Sequence, residues 1–283
     1  MKTPSTLARV QSFVIDMDGV IYRGKTPIAG AGRFLDALRT AGTPFLLLTN
    51  NASLTEAQYA AKLADMGIEM EQERILTSGE ATAVYLAQVA PPGTAMFMIG
   101  EDGLRTALEK RGFVLRDDTD VDYVVVGFDR GFTYKKLATA TLAIRAGAQF
   151  VGANPDTTYP NELGLVPGNG ALLAAIEAAT DIAPLVIGKP QPAIFELALQ
   201  KLHAQSDTTA ILGDRMETDI LGGFRAGLVT VLLLSGVTTR DQLAKEPLVP
   251  DLVYEDIAAF HLAWEEAQAR TAGSRAVCER PGA

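Results

Sequence analysis

The chain has 283 residues, a formal net charge of −9 and 48% hydrophobic residues, a balance that is typical of a globular protein with a substantial core. The acidic charge is evidence against nucleic acid as the main partner, because phosphate-backbone binding requires clustered lysines and arginines. No apolar run reaches the roughly 18 residues that span a membrane, the first residues carry no apolar signal core, and the one cysteine, Cys278, allows no intrachain disulfide. These features predict a soluble cytoplasmic protein without a membrane or nucleic-acid partner.

Short apolar runs along the chain predict β-strands. Near-continuous apolar strands that alternate with helices are typical of a parallel sheet covered on both faces. We therefore predict an α/β fold with a doubly wound parallel sheet. The predicted strands are SFVIDM (12–17), PFLLLTN (44–50), TAMFMIG (94–100), DYVVVGF (122–128), AQFVGAN (148–154), AILGD (210–214), VTVLLL (229–234) and DLVYE (251–255).

Helical patterns fill the segments between these runs. The first spans 53–67, where Ser53 and Glu56 match a capping box and Gly67 matches a helix stop. Others span 134–147, 170–180 and 192–202, the last with Pro192 in its first turn. Residues 265–283 suggest a fraying helix end and a loose tail.

The middle of the chain permits two organisations. Residues 80–183 form either a second, smaller α/β unit inserted into the first, or part of one continuous large sheet. Periodicity leaves both open. Within this range PGNG (167–170) precedes a helix with two glycines, but a third glycine is missing, so a dinucleotide site is not predicted.

Polar residues follow the predicted strands at the edge where open parallel sheets bind ligands. Four acids are unusual at one sheet edge, because clustered carboxylates repel each other. A hard divalent cation with oxygen ligands, Mg²⁺, would relieve this repulsion, and a lysine with hydroxyl and amide donors suits a phosphoryl group. The residues are Asp16, Asp18, Thr49, Asn50, Asn51, Lys189, Asp214 and Asp219.

Asp16 and Asp18 are two residues apart, so they face the same way if the chain stays extended. One carboxylate can then attack phosphorus to form an aspartyl phosphate. The other can protonate the leaving oxygen and later accept a proton from water. Gly19 lets the backbone turn sharply beside the ligand.

Four motifs in order, DMDGV (16–20), LLTNN (47–51), IGKPQP (187–192) and GDRMETDI (213–220), resemble the haloacid dehalogenase superfamily. Together they resemble its NagD-like, or nitrophenylphosphatase-like, branch, whose phosphatases carry a large α/β cap of the C2 type after the second motif. The resemblance covers about residues 11–260. It implies a catalytic core of 1–79 and 184–283 and an inserted cap of 80–183.

The resemblance implies roles for the residues that carry the chemistry. Asp16 would be the nucleophile and a Mg²⁺ ligand. Asp18 would be the general acid and base and would give the metal its backbone carbonyl. Lys189 would bridge the phosphoryl group and Asp16. An acid at position 18 favours phosphate-ester hydrolysis over dehalogenation, since the family's dehalogenases lack it.

The remaining motif positions are implied to bind the metal and the phosphoryl oxygens. Thr49 and Asn50, with Asn51, would bind those oxygens. Asp214 would bind Mg²⁺ directly or through water, and Asp219 would lie beyond the direct ligands. Asp219 alone could equally open a helix, and Lys189 before a proline could be an exposed turn residue.

The segment GANPDTTYPNE (152–162) resembles the cap loop that selects the leaving group in this branch. Asn154, Asp156 and Tyr159 are the candidates for substrate contact, although Asn-Pro-Asp is also a common turn sequence. Caps in this branch often dimerise, so the resemblance makes a homodimer possible. The physiological substrate is not encoded in these motifs.

The predicted function is a Mg²⁺-dependent phosphatase that hydrolyses small phosphorylated metabolites through an aspartyl-phosphate intermediate. Two alternatives remain open at this point. One is a phosphotransferase or mutase that uses the same chemistry. The other is a non-catalytic protein that binds a phosphorylated metabolite, although binding alone does not need two acids beside the phosphate.

Overall fold

The computed structural model describes residues 4–161 and 164–278. Contacts divide the chain into two units, and each is described by itself. The first unit contains the chain up to Leu47 and from Leu199 onward, and the second contains Leu48–Ala198. Within the described residues, no helix is both long and apolar enough to cross a membrane.

The strands alternate with helices along both units. In chain order the described strands are β1 (Ser12–Asp16), β2 (Tyr22–Arg23), β3 (Thr26–Pro27), β4 (Phe45–Thr49), β5 (Ile75–Thr77), β6 (Ala95–Ile99), β7 (Val114–Leu115), β8 (Tyr123–Val126), β9 (Gln149–Gly152), β10 (Thr158–Asn161), β11 (Gly164–Pro167), β12 (Leu185–Val186), β13 (Thr209–Gly213), β14 (Val229–Leu233) and β15 (Leu252–Tyr254).

The helices account for most of the sequence between the strands. They are α1 (Pro4–Leu7), α2 (Ala31–Thr40), α3 (Glu56–Ala64), α4 (Ser78–Val89), α5 (Asp102–Lys110), α6 (Tyr134–Arg145), α7 (Asn169–Thr180), α8 (Pro192–Leu202), α9 (Leu221–Arg225), α10 (Arg240–Leu243) and α11 (Ile257–Cys278), with 3₁₀ turns at Gln72–Arg74 and Ser206–Thr208 and a π-helical turn at Met216–Ile220.

In the first unit the strands that flank the N-terminal strand follow the order β15-β14-β13-β1. In the first unit β1 pairs with β13 in parallel, with Ser12 opposite Thr209 and Ile15 opposite Leu212. Every residue of β1, β13 and β14 is buried. This burial explains why these strands are near-continuous apolar runs, since helices cover both faces of a parallel sheet.

The second unit contains a five-stranded parallel sheet of order β12-β9-β8-β6-β7. Its core packs strand residues such as Phe97 and Phe150 against Ile144 of α6 and Leu173 of α7. The described strands also include two antiparallel pairs, β2-β3 and β10-β11, and the predicted α/β class is confirmed. All described residues of 80–183 lie in this unit, and the division into a core of 1–79 and 184–283 and a cap stays a prediction.

One predicted helix boundary is wrong. The helix predicted from Ser53 begins at Glu56, and the capping box uses Thr55 with Gln58 instead of Ser53 with Glu56. The reason is local, because the backbone N–H of Ser53 donates to the Asn51 side chain (2.9 Å) in a turn that precedes the helix. At the other end of the chain α11 continues to Cys278, beyond the fraying end suggested from residue 265, and residues 279–283 lie outside the described part.

Candidate active site

Three buried carboxylates of the first unit lie close together. Asp16 ends β1, Asp214 follows β13, and Asp219 lies on the π-helical turn Met216–Ile220. One oxygen from each lies within 4.8 Å of the others. The three residues are only 6%, 1% and 1% exposed. We call this group the acidic cluster.

Backbone groups orient two members of the acidic cluster. Asp214 Oδ2 accepts a hydrogen bond from the Val237 N–H (2.7 Å), and Asp219 Oδ2 accepts one from the Arg215 N–H (3.1 Å). Glycines make room for both carboxylates, because a Cβ at any of three positions would collide with one of them. These positions are Gly19, Gly213 and Gly236.

The acidic cluster has the chemistry of a metal site. Three carboxylates at this separation repel strongly when they are removed from water. All the grouped side-chain ligands are oxygens, which hard cations prefer and zinc sites seldom use alone. The cluster can therefore hold a metal ion, and its depth and oxygen-only character fit a hard divalent cation.

Asp18 lies on the turn that follows β1. Gly19 has a φ of +86°, which an L-side chain rarely adopts, and its N–H donates to the Tyr22 carbonyl (2.8 Å). The Tyr22 hydroxyl donates to Asp18 Oδ2 (3.3 Å), and Ser235 Oγ donates to the Gly19 carbonyl (2.8 Å). Among the described residues the half-buried Asp18 carboxylate is not grouped with the acidic cluster, so three of the four predicted acids lie together, and the role of Asp18 stays a prediction.

In the second unit the chain after β4 forms a tight polar turn. Thr49 is buried, and its Oγ1 accepts the Asn51 N–H (3.1 Å). The Asn51 side chain accepts the Ser53 N–H, and its carbonyl accepts the Tyr59 hydroxyl (3.1 Å). These bonds fix the conformation of the predicted phosphoryl-binding residues.

Asn50 joins this turn to the segment that carries Lys189. Its Oδ1 accepts the Lys189 N–H (2.8 Å), and its Nδ2 donates to the Lys189 carbonyl (3.0 Å) and to Asp156 Oδ1 (3.0 Å). Its carbonyl accepts from Ser78 Oγ and Asn154 Nδ2. The side-chain amide of Asn50 is thus used inside the protein, and Lys189 is only 2% exposed, which excludes an exposed turn lysine.

The candidate leaving-group residues lie in the same unit as Asn50 and Lys189. Asn154 is buried, and its Oδ1 accepts the Asp156 N–H (3.1 Å), which makes the predicted turn. Tyr159 is half-buried, and its ring centroid lies 5.0 Å from that of Phe128. Residue 162, the last of the predicted loop, lies outside the described residues.

Two ion pairs involve residues that follow strand β8, which ends at Val126. Arg130 binds Glu101 through two nitrogens (2.8 and 2.6 Å), and Lys136 Nζ binds Asp129 Oδ2 (2.6 Å). Burial opposes ionisation of Glu101, but hydrogen bonds and charge from Arg130 outweigh it and lower the Glu101 pKa. The pKa of Arg130 is raised, and the largest cause is its hydrogen bond to Glu101.

Sequence reasoning missed several residues that contact the predicted site residues, and two of them lie in the second unit beside Asn50 and Asn154. Ser78 binds the Asn50 carbonyl, and Asn169 binds the Asn154 carbonyl (2.7 Å). The PGNG motif around Asn169 was a signal, but its two glycines were considered only as a dinucleotide-binding loop, which the missing third glycine does not support. No local pattern marks Ser78.

The chain matches known proteins over most of its length. A model for haloacid dehalogenase-like hydrolases matches residues 13–114, and a model for HAD-like hydrolases matches residues 186–260. The acid sugar phosphatase of Staphylococcus aureus is 39% identical over 251 residues, which is 89% of this chain and 96% of that protein. The chain belongs to the haloacid dehalogenase-like hydrolases.

Solved structures of this family share the fold. The 4-nitrophenylphosphatase from Thermotoga maritima has a TM-score of 0.87 at 33% identity, covering 91% of this chain and 98% of its own. NagD from E. coli K-12 has a TM-score of 0.82 at 36% identity, covering 88% and 97%. The predicted family and branch are confirmed.

Proposed function

We propose that this hydrolase is a Mg²⁺-dependent phosphatase that cleaves small-molecule phosphomonoesters through an aspartyl-phosphate intermediate. The observation that carries the proposal is the acidic cluster, in which Asp16 ends a strand beside two further buried carboxylates. The family membership of the chain and the phosphatase names of its relatives support it. The protein is a phosphoric monoester hydrolase.

The acidic cluster and the backbone carbonyl of Asp18 would hold the cation. Bound Mg²⁺ supplies positive charge that draws electrons from the phosphoryl oxygens and relieves the repulsion among the carboxylates. Asp16 serves both as a ligand and as the nucleophile. Asp214 and Asp219 keep the orientation that their bonds to backbone N–H groups give them.

The reaction has two steps on the Asp16 carboxylate. An oxygen of Asp16 attacks phosphorus, the bond from phosphorus to the ester oxygen breaks, and the protonated Asp18 carboxyl gives its proton to that oxygen. The Asp18 carboxylate then takes a proton from water, whose oxygen attacks the same phosphorus. The bond from phosphorus to Asp16 breaks, which releases inorganic phosphate and regenerates both aspartates.

We assign binding of the transferred phosphoryl group to the residues that follow β4 and to Lys189. The Thr49 hydroxyl, the backbone N–H groups of Asn50 and Asn51, and the Lys189 ammonium supply donors and positive charge. The side-chain amide of Asn50 bonds to the Lys189 backbone. These bonds support the assignment of the Asn50 backbone N–H, and not its side chain, to the phosphoryl oxygens.

Leaving-group recognition is assigned to the loop that carries Asn154, Asp156 and Tyr159, in a cap of residues 80–183. The half-buried Tyr159 ring is the best placed of the three, since Asn154 is buried and bonded within the protein. Action in the cytoplasm on a phosphorylated metabolite, and a homodimeric state, stay predictions from the sequence.

Phosphate release from a panel of phosphomonoesters, measured with Mg²⁺ and with EDTA, tests the reaction. We expect Mg²⁺-dependent release that Asp16→Asn abolishes, because an amide is a poor nucleophile. Asp36→Asn is the matched control, since Asp36 is an exposed carboxylate on α2. No release from any ester by folded, Mg²⁺-loaded protein would contradict the proposal, and transfer to an added alcohol would favour a phosphotransferase.

A further inference from the structure

A chain of three buried asparagines in the second unit runs from the start of α7 to the backbone of Lys189. Asn169 Nδ2 donates to the Asn154 carbonyl (2.7 Å) and to the Val126 carbonyl (3.2 Å). Asn154 Nδ2 donates to the Asn50 carbonyl (2.6 Å). Asn50 closes the chain with its two bonds to the Lys189 backbone. We call these three residues the asparagine network.

Asn169 is not needed as a helix cap. It is the first residue of α7, and the N-cap position belongs to Gly168, which makes no side-chain capping bond. The Asn169 side chain instead points inward and is only 1% exposed. Its Oδ1 is buried and has no hydrogen-bond partner among the described residues. Retaining an asparagine here costs stability, because an unbonded buried acceptor loses its hydration.

The two glycines beside Asn169 let the start of α7 approach the loop at 154–156 closely. A Cβ at Gly168 would collide with the backbone of Asp156, and a Cβ at Gly170 would collide with the Pro155 carbonyl. The Gly170 N–H also donates to the Asp156 carbonyl (2.8 Å). The PGNG motif therefore packs against the loop at 154–156, and Asn169 is the central residue of this contact.

We propose that Asn169 is a positioning residue for the phosphoryl-binding group: through Asn154 and Asn50 it fixes the backbone that carries Lys189. This inference rests on the proposed phosphatase function. Asn169 does not contact the substrate. It restricts Asn154, whose amide restricts the Asn50 backbone, and the Asn50 side chain then fixes the Lys189 N–H and carbonyl.

The test compares Asn169→Ala and Asn169→Asp with Thr180→Val in the full-length protein. Thr180 is the matched control, because it is buried at the other end of α7, and its hydroxyl bonds only to groups near that end. Two quantities are measured on folded protein: kcat and KM for several phosphomonoesters, and hydrogen exchange of the Lys189 amide.

We expect both Asn169 variants to lower kcat by on the order of 10²-fold, the usual effect of misplacing a reacting group by about 1 Å. The factor should be about the same for every ester, because the leaving group is not involved, and KM should change little. The Lys189 amide should exchange faster in both variants. Thr180→Val should leave kcat and this exchange rate unchanged, even if it lowers the midpoint of thermal unfolding.

The possible results separate this inference from the proposed function. Wild-type release of phosphate with unchanged kcat in both Asn169 variants overturns the inference alone, even if exchange at Lys189 becomes faster. A fall in kcat that only matches the fall in the folded fraction also overturns it. If the wild type releases no phosphate from any ester, the proposed function fails and the inference fails with it.

Discussion

At the scale of single residues, glycines decide whether the acidic cluster can form. Gly236 lies against Asp214, and any side chain at this position would occupy the space of the carboxylate. The need is steric and does not come from an unusual φ, since Gly236 is not among the residues with positive φ. Gly236, which lies 22 residues after Asp214 in the sequence, thus controls the position of the Asp214 carboxylate.

Gly236→Ala should therefore lower kcat by on the order of 10²-fold, because the Asp214 carboxylate must move by about 1 Å or more. Titration with Mg²⁺, followed by thermal unfolding, should show weaker metal binding. Gly93→Ala is the control, since its Cβ enters open space, although its φ of +90° makes the change destabilising. Normal Mg²⁺ affinity in Gly236→Ala would show that the carboxylate tolerates the displacement.

Glu101 gives a pH-dependent prediction at the same scale. Its pKa is lowered by Arg130, so the pair stabilises the fold above the unfolded value of about 4.5 and this stability is lost as pH falls through the lowered pKa. Because Arg130 is 67% exposed, Glu101→Gln should cost only about 0.5–1 kcal/mol at pH 7. Urea unfolding at pH 7 and at a series of lower pH values should show this difference shrink as Glu101 becomes protonated in the folded state.

At the scale of elements, the first residue of a helix depends on which capping hydrogen bonds form. A short sequence motif can match more than one possible start. Both Ser53 and Thr55 are followed three residues later by a Glu or a Gln, so both match the capping box. Thr55 makes the two reciprocal capping bonds with Gln58. The Ser53 N–H instead donates to the Asn51 side chain in the preceding turn. The motif located the helix correctly and its first residue wrongly.

Thr55→Ala should accordingly lower the free energy of unfolding by about 1 kcal/mol, since two backbone N–H groups lose their partners or their geometry. Ser53→Ala should have a smaller effect, because the bond made by Ser53 in this turn comes from its backbone. Urea denaturation of both variants provides the comparison. Equal losses would mean that Ser53 also caps α3 in solution.

At the scale of the whole molecule, the first unit is built from two stretches far apart in sequence. Ser12 and Thr209 share a hydrogen bond of 2.7 Å across 197 residues of chain. The acidic cluster lies wholly within this unit, so binding of a metal ion at this cluster would be coupled to folding of the unit. A cation that binds only the folded chain stabilises it by mass action.

Mg²⁺ at about 100 times its Kd should therefore stabilise the protein by about 2.7 kcal/mol and raise the thermal midpoint. Asp219→Asn should abolish most of this gain and yet raise the midpoint in EDTA, because it removes one of three repelling charges. Scanning calorimetry with Mg²⁺ and with EDTA measures both effects. A variant that is destabilised equally in both conditions would argue that Asp219 serves the fold and not the metal.

Much of the candidate site could be predicted because its parts follow strands. Asp16 ends a buried apolar run, and Asp214 and Asp219 follow another. Parallel pairing of β1 with β13 then brings their carboxyl ends together. The same logic missed β5, the hairpin β10-β11 and the two-residue strands, since such short segments carry too little periodicity to be recognised.

The sequence by itself determined the α/β class and the family, and it singled out the three residues of the acidic cluster and the candidate phosphoryl-binding residues. Apolar runs and the polar residues that follow them are local patterns, so they can be recognised in the sequence without the fold. Only the tertiary structure decided that Asn50 bonds Asp156 across 106 residues, and that Asn169 continues this network. Such bonds depend on buried side chains that meet after folding, and asparagines in turns look alike in sequence whether they end a helix or support a distant lysine.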